Sequence, residues 1–220
     1  MFSVQTKPRP LETVADLLIH LGEIAPSRIR LQPAPGTATE QDVLDIHARE
    51  GRLCELVDNV LVEKAVGLRE SFLASVLTTM LWGFVQARHL GLVTGEAGMM
   101  RLAPGLVRMP DVAFISWNRL PNQRVPNEPI PDLAPDLAIE ILSAGNTTGE
   151  MARKCQEYFA AGVRLVWLID PEARTVAVYT GPNQFTLFNQ NQTLEGGEVL
   201  PGFTVSLHEL FAALDLQGQA

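Results

Sequence analysis

Apolar positions change their period several times along the chain, and each change marks an element. Leu11, Val14, Leu17, Leu18 and Leu21 recur at helical spacing among prolines at 8, 10, 26, 33 and 35, which predicts a short helix in an N-terminal arm over residues 1–38, outside the main body. Thr39, followed by Glu40 and Asp42, reads as a helix start, because a threonine oxygen caps free amides and acids favour the positive end of the helix dipole. Gly51 marks that helix's end. Two β-rich runs, 52–57 and 60–66, meet at Asp58-Asn59, a pair that tolerates positive φ and predicts a hairpin. A broad stripe of Phe72, Leu73, Val76, Leu77, Met80, Leu81, Phe84 and Val85 predicts a long helix over 68–89, to be covered by a sheet.

Strand-like segments follow at 92–94, 97–102, 109–116 and 136–142, then a helix over 148–161 that stops at Gly162. Residues 165–169 are uninterruptedly apolar, as expected of a strand buried on both faces. Segments 175–179 and 185–188 predict a meander, and Ser206 with Glu209 has the spacing of a capping box for a last short helix. This order predicts an α+β domain with a mixed central sheet, a long core helix and a crossover helix. Residues 119–135, with five prolines, form a connection long enough to suggest a functional loop.

Composition narrows the class. At 220 residues and 46% hydrophobic content the chain is long and apolar enough for one folded core. Two cysteines, Cys54 and Cys155, cannot make a disulfide scaffold; with no signal-peptide pattern, a reducing cytoplasm is expected. The uncharged run 71–87 holds Ser71, Ser75, Thr78, Thr79 and Gln86, so it reads as a buried helix and no membrane span. A net charge of −8 argues against nonspecific coating of nucleic acid. Locally the balance reverses: Arg101, Arg108, Arg119 and Arg124 face the single acid Asp111, which predicts a basic rim for phosphates. The cysteines and the four histidines lack zinc spacing, and there is no phosphate-cradling glycine loop of the ATP or dinucleotide type.

The chemistry is carried by acids in apolar strands. Asp111 shares a strand face with Ala113 and Ile115, and the period of two puts Asp136, Ala138, Glu140 and Leu142 on one face of the next. Burying unpaired carboxylates costs several kcal/mol. Either a hard cation such as Mg²⁺ lies between Asp111 and Glu140, or each acid satisfies a buried arginine or backbone amides. Glu70, on the edge of the long helix's apolar stripe, either points to the sheet or serves the helix dipole. Glu55 shares a face with Leu53 and Val57, and Asp136 competes with Asp111 as a ligand or belongs to a turn. Lys154 either reaches inward or pairs with Glu150 at i−4, and Tyr158 one turn later either orients it or packs at the core edge.

The series Glu55-Leu56-Val57-Asp58, Arg108-Met109-Pro110-Asp111-Val112, residues 135–143 (PDLAIEILS), Lys154 with Tyr158, Gly162-Val163, Trp167-Leu168-Ile169-Asp170-Pro171 and Leu200-Pro201-Gly202-Phe203 resembles the Uma-type restriction endonucleases of the PD-(D/E)xK nuclease superfamily. The resemblance runs from about residue 39 to 213 and implies a restriction-endonuclease-like domain there, with 214–220 as a C-terminal tail. It implies a Mg²⁺-dependent DNA endonuclease, Mn²⁺ being the alternative ion, with Asp111 and Glu140 as catalytic metal ligands. Leu142 stands where the half-motif has lysine, so Lys154 is the candidate substitute, and Glu70 is the candidate for a further catalytic contact. Cutting both strands with one small site per chain would favour a homodimer. Loss of the lysine leaves open a catalytically inactive module that binds DNA or protein, and a metal-dependent hydrolase of another phosphate ester is a further alternative.

Overall fold

A computed structural model describes residues 12–65 and 67–216. Leu11 and the rest of the arm before Glu12, Val66 at the end of the expected hairpin, and residues 217–220 of the tail lie outside the described residues.

Two sheets and the helices that cover them make the fold. The smaller sheet has the order β2-β1-β5-β4, from β1 (Cys54–Val57), β2 (Val60–Glu63), β4 (Met100–Ala103) and β5 (Leu106–Arg108). Its hairpin turns at Asp58 and Asn59, both at positive φ (49° and 60°), as their side chains allow. Helix α2 (Glu40–Glu50) is closed at its start by reciprocal bonds between Thr39 and Asp42 and at its end by Gly51 at φ 66°. It buries Val43 and Ile46 against Cys54, Leu56, Leu61 and Val107.

The central sheet runs β10-β9-β8-β7-β6-β3, from β3 (Gly91–Gly95), β6 (Val112–Ser116), β7 (Leu137–Ile141), β8 (Leu165–Asp170), β9 (Thr175–Gly181) and β10 (Gln184–Asn189). Among the described residues β7 and β8 are its one parallel pair, which requires a crossover, and α4 (Thr148–Ala160) supplies it. Both strands are buried on both faces, Glu140 of β7 included, because both faces are covered. On one side α3 (Leu68–Ala87) lays Leu73, Leu77, Leu81 and Val85 on Val112, Phe114, Ile139 and Trp167. The short helix α5 (Leu207–Ala212), capped by Ser206, joins that layer, as does the ribbon of β11 (Thr193–Glu195) and β12 (Thr204–Ser206). On the other side α4 packs Met151, Cys155 and Tyr158 against Ala138, Val166 and Leu168.

Two expectations change. The strand expected over 109–116 starts later, at Val112 as β6 of the central sheet; Met109, Pro110 and Asp111 separate it from β5, an unexpected short strand of the small sheet that ends at Arg108. The described part of the N-terminal arm, residues 12–38, packs on the body instead of standing outside it. Helix α1 (Val14–His20), closed by a Thr13–Asp16 capping box, leads Leu17, Leu21 and Ile24 onto Val57, Val60 and Val62 of the hairpin. Gly22 then meets the first turn of α4 so closely that a Cβ there would lie 2.4 Å from the Glu150 amide nitrogen. Among the described residues no helix is long and apolar enough to cross a membrane.

Candidate active site

The register of the two middle strands places the acids. Val112 pairs with Ile139 and Ala113 with Ala138 in an antiparallel ladder, so the same register, carried one residue further, sets Asp111 opposite Glu140 on one face. That face is covered by α4. Asp111 Oδ2 accepts from the Ile141 amide at 2.6 Å, which pins the carboxylate to the edge of β7.

Lys154 does not extend to solvent beside Glu150. Its side chain is 2% exposed, and its Nζ lies 3.0 Å from Glu140 Oε2 and 3.3 Å from Glu55 Oε1. Glu150 is instead held by Arg28 of the N-terminal segment through two bonds of 2.7 and 2.9 Å. Tyr158, one turn after Lys154, donates its hydroxyl to Glu140 Oε1. Glu140 is therefore gripped on both oxygens by residues spaced four apart on one helix face.

Glu55 brings the small sheet into the cluster. Its Oε2 takes Arg108 Nη1 at 2.6 Å and its Oε1 the Met109 amide at 3.1 Å. Arg108 also binds Glu157, which Arg153 holds in turn. Burial opposes the Glu55 charge, but Lys154, Arg108 and Lys64 outweigh it and hold the carboxyl down at about 2. Burial pushes Glu140 up instead; Lys154 counters it, while Asp111 and Glu55 add repulsion. The Lys154 ammonium, disfavoured by burial, is kept above the usual lysine range by Glu140 and Glu55. Crowding thus differentiates the two buried acids, Glu55 firmly ionised and Glu140 drawn toward the neutral form.

Lys64, just beyond β2, was not legible as a site residue. Its Nζ lies 2.7 Å from Asp111 Oδ1, and it lines a groove with Arg52, Glu63, Gly67, Leu68, Ser71 and Glu96. Asp111 opens onto an adjoining cavity of about 340 Å³ bounded by Ser71, Ser75, Thr78 and Glu96. The cluster is thus reached from the Asp111 side, with Glu140 and Lys154 behind. Glu70 is not joined to it by any ion pair or hydrogen bond among the described residues. Its carboxylate folds over Gly67 at the start of α3, and it borders a separate cavity with Leu142, Asn146, Thr147 and Asp170. Asp136 is no rival ligand: it accepts from the Ser116 amide, Arg119 and Arg164, a buried clasp between loop and strand.

The expected basic rim is not formed by its arginines. Arg101 is bound to Glu40, Arg108 is internal, and Arg119 is tied to Asp136 and the Gly162 carbonyl. Of the four, only Arg124 is exposed with no ion-pair partner among the described residues. Cys54 and Cys155 are buried, their thiols pushed up to about 11 and about 12, first by loss of solvent, and take no part in the site.

A family model described as "Uma2: Putative restriction endonuclease" matches residues 40–209. A crystal structure of a "putative nuclease belonging to DUF820" from Anabaena variabilis ATCC 29413 is similar in fold, with a TM-score of 0.66 and 22% identity over 74% of this chain and 91% of that one. The architecture is thus restriction-endonuclease-like. No curated protein matches the chain.

Proposed function

Given that the chain belongs to the Uma2 family of restriction-endonuclease-like proteins, we propose that it is a divalent-metal-dependent endonuclease hydrolysing DNA phosphodiester bonds at Asp111, Glu140 and Lys154. The observation that carries this reading is the bond from Lys154 on α4 to Glu140, the acid set opposite Asp111. Two acids and a lysine converge although residue 142 is leucine.

The donor set suits a hard dication: two carboxylates across a strand pair, all oxygen, with a groove beside them for water and phosphate. Asp111 and Glu140 would hold the ion, Mg²⁺ or Mn²⁺. Such an ion, when bound, polarises a phosphoryl oxygen and acidifies an attacking water. The chain's own residues do the rest. Tyr158 and Lys154 fix the Glu140 carboxylate, and Glu55 fixes Lys154 from behind, so the ammonium offers positive charge that needs no reorganisation as the phosphate gains charge. Because the groove carries Glu63 and Glu96 with no free arginine cluster, DNA would approach mainly against the metal rather than against a basic rim.

Supercoiled plasmid incubated with Mg²⁺ or Mn²⁺ should be nicked or linearised, and EDTA should stop it. D111N, E140Q and K154M should each lose about 100-fold or more while keeping the native circular-dichroism spectrum. Full activity in D111N and E140Q would refute the assignment. One observation favours the second reading, an inactive DNA- or protein-binding module: each oxygen of Asp111 and Glu140 already has a protein partner. Metal-independent DNA binding with no cleavage by the wild type would select it.

A further inference from the structure

We propose that Lys64 is an internal counter-ion that competes with the metal for Asp111 and so sets the site's metal affinity. The inference rests on the reading of Asp111 as a metal ligand. Of the two Asp111 oxygens, Oδ2 is committed to the Ile141 amide, which leaves Oδ1 as the oxygen free to meet a cation. Lys64 Nζ is on it at 2.7 Å, with its side chain 4% exposed. An ammonium there is a stand-in ion.

The charge balance points the same way. In the enclosed part of the cluster Asp111, Glu140, Glu55 and Glu157 face Lys64, Lys154, Arg108 and Arg153, four charges of each sign, while Asp58, joined to it through Arg153, is half exposed. A dication added to it would be uncompensated in a poorly solvated place, and one resident cation must give way. The other three are each held by two carboxylates: Lys154 by Glu140 and Glu55, Arg108 by Glu55 and Glu157, Arg153 by Glu157 and Asp58. Lys64 has one carboxylate partner among the described residues, and its second contact, to the Glu96 carbonyl, is long at 3.5 Å. It also lines the open groove, into which its four-carbon stem can swing. Lys64 is the cation that can leave.

The test is calorimetric titration of Mn²⁺ into the full-length protein without DNA, comparing the wild type with K64M, K64Q, K64R and K64M/D111N. Removing a charged hydrogen bond to the ligand should tighten Mn²⁺ binding by about 10- to 100-fold in K64M and K64Q. K64R, which keeps the charge, should stay near the wild type, and K64M/D111N should lose the gain. Melting temperature gives a second readout: K64M should melt lower than the wild type in EDTA and gain more on saturation with Mn²⁺. A merely structural role predicts weaker binding on substitution, never tighter. Equal affinities in the wild type and K64M, with binding abolished in D111N, would overturn the role of Lys64 and leave the metal site intact. No binding by either protein at millimolar Mn²⁺ would overturn both.

Discussion

Replacing Lys154 with methionine keeps the stem and removes the ammonium from between Glu140 and Glu55. Both carboxylates are almost wholly enclosed, with side chains 5% and 1% exposed, so neither can recover its lost partner from solvent. Breaking a buried pair from one side costs about 3–5 kcal/mol, which for a domain of this size is a fall in melting temperature of roughly 6–20 °C. The loss should depend on pH with a definite sign. Glu140 already lies above its usual 4.5, and without Lys154 it rises further. A carboxyl raised by folding contributes stability that is fully present below its unfolded value and is lost as pH rises through its folded value. Protonation of Glu140 therefore offsets more of the damage at pH 5 than at pH 8. Urea unfolding of the wild type and K154M at the two pH values measures this directly. A K154M protein as stable as the wild type at pH 8, or a deficit equal at both pH values, would refute the buried coupling.

Glu55, held down at about 2, has the opposite sign: its stabilisation is present above its unfolded 4.5 and is lost as pH falls toward 2. E55Q should accordingly be less stable than the wild type at pH 7 and converge with it in acid unfolding near pH 2. R119A should cost about 1 kcal/mol in urea unfolding, since Asp136 keeps Arg164 and the Ser116 amide, and it should leave the salt slope of DNA binding unchanged. G22A, at φ 85° and against the backbone of α4, should cost about 2–5 kcal/mol by the same assay and raise amide exchange in α1.

Local rules account for what the sequence disclosed. Thr39, Gly51, Asp58-Asn59, Gly162 and Ser206 are decided by nearest neighbours, and the elements they bound stand where the pattern puts them. Period-two alternation likewise puts Glu140 on the face of Ala138, the one α4 covers, and the apolar strand around Asp111 already suggests pairing the two acids. Partners distant in sequence were not legible. Glu55 and Arg108 are 53 positions apart and meet because β1 pairs with β5. Lys64 read as part of a strand, and only the approach of the hairpin to the start of β6 brings it to Asp111. A local count of arginines could not foresee that Glu40, Glu55 and Asp136 would consume three of them.

The parallel pairing of β7 with β8 also decides what stands over Glu140. Joining β7 to β8 obliges the chain to lay α4 across the face that carries Glu140, so that Lys154 and Tyr158, one turn apart on that helix, both overlook the acid. The connection itself guarantees proximity, whatever residue follows the glutamate along the strand. A basic group at residue 142, where β7 ends, or at residue 154 on the crossover would then stand over the same carboxylate. A lysine on the crossover supplies that charge without the E-x-K spacing along the strand, so a search for the linear motif alone passes it by.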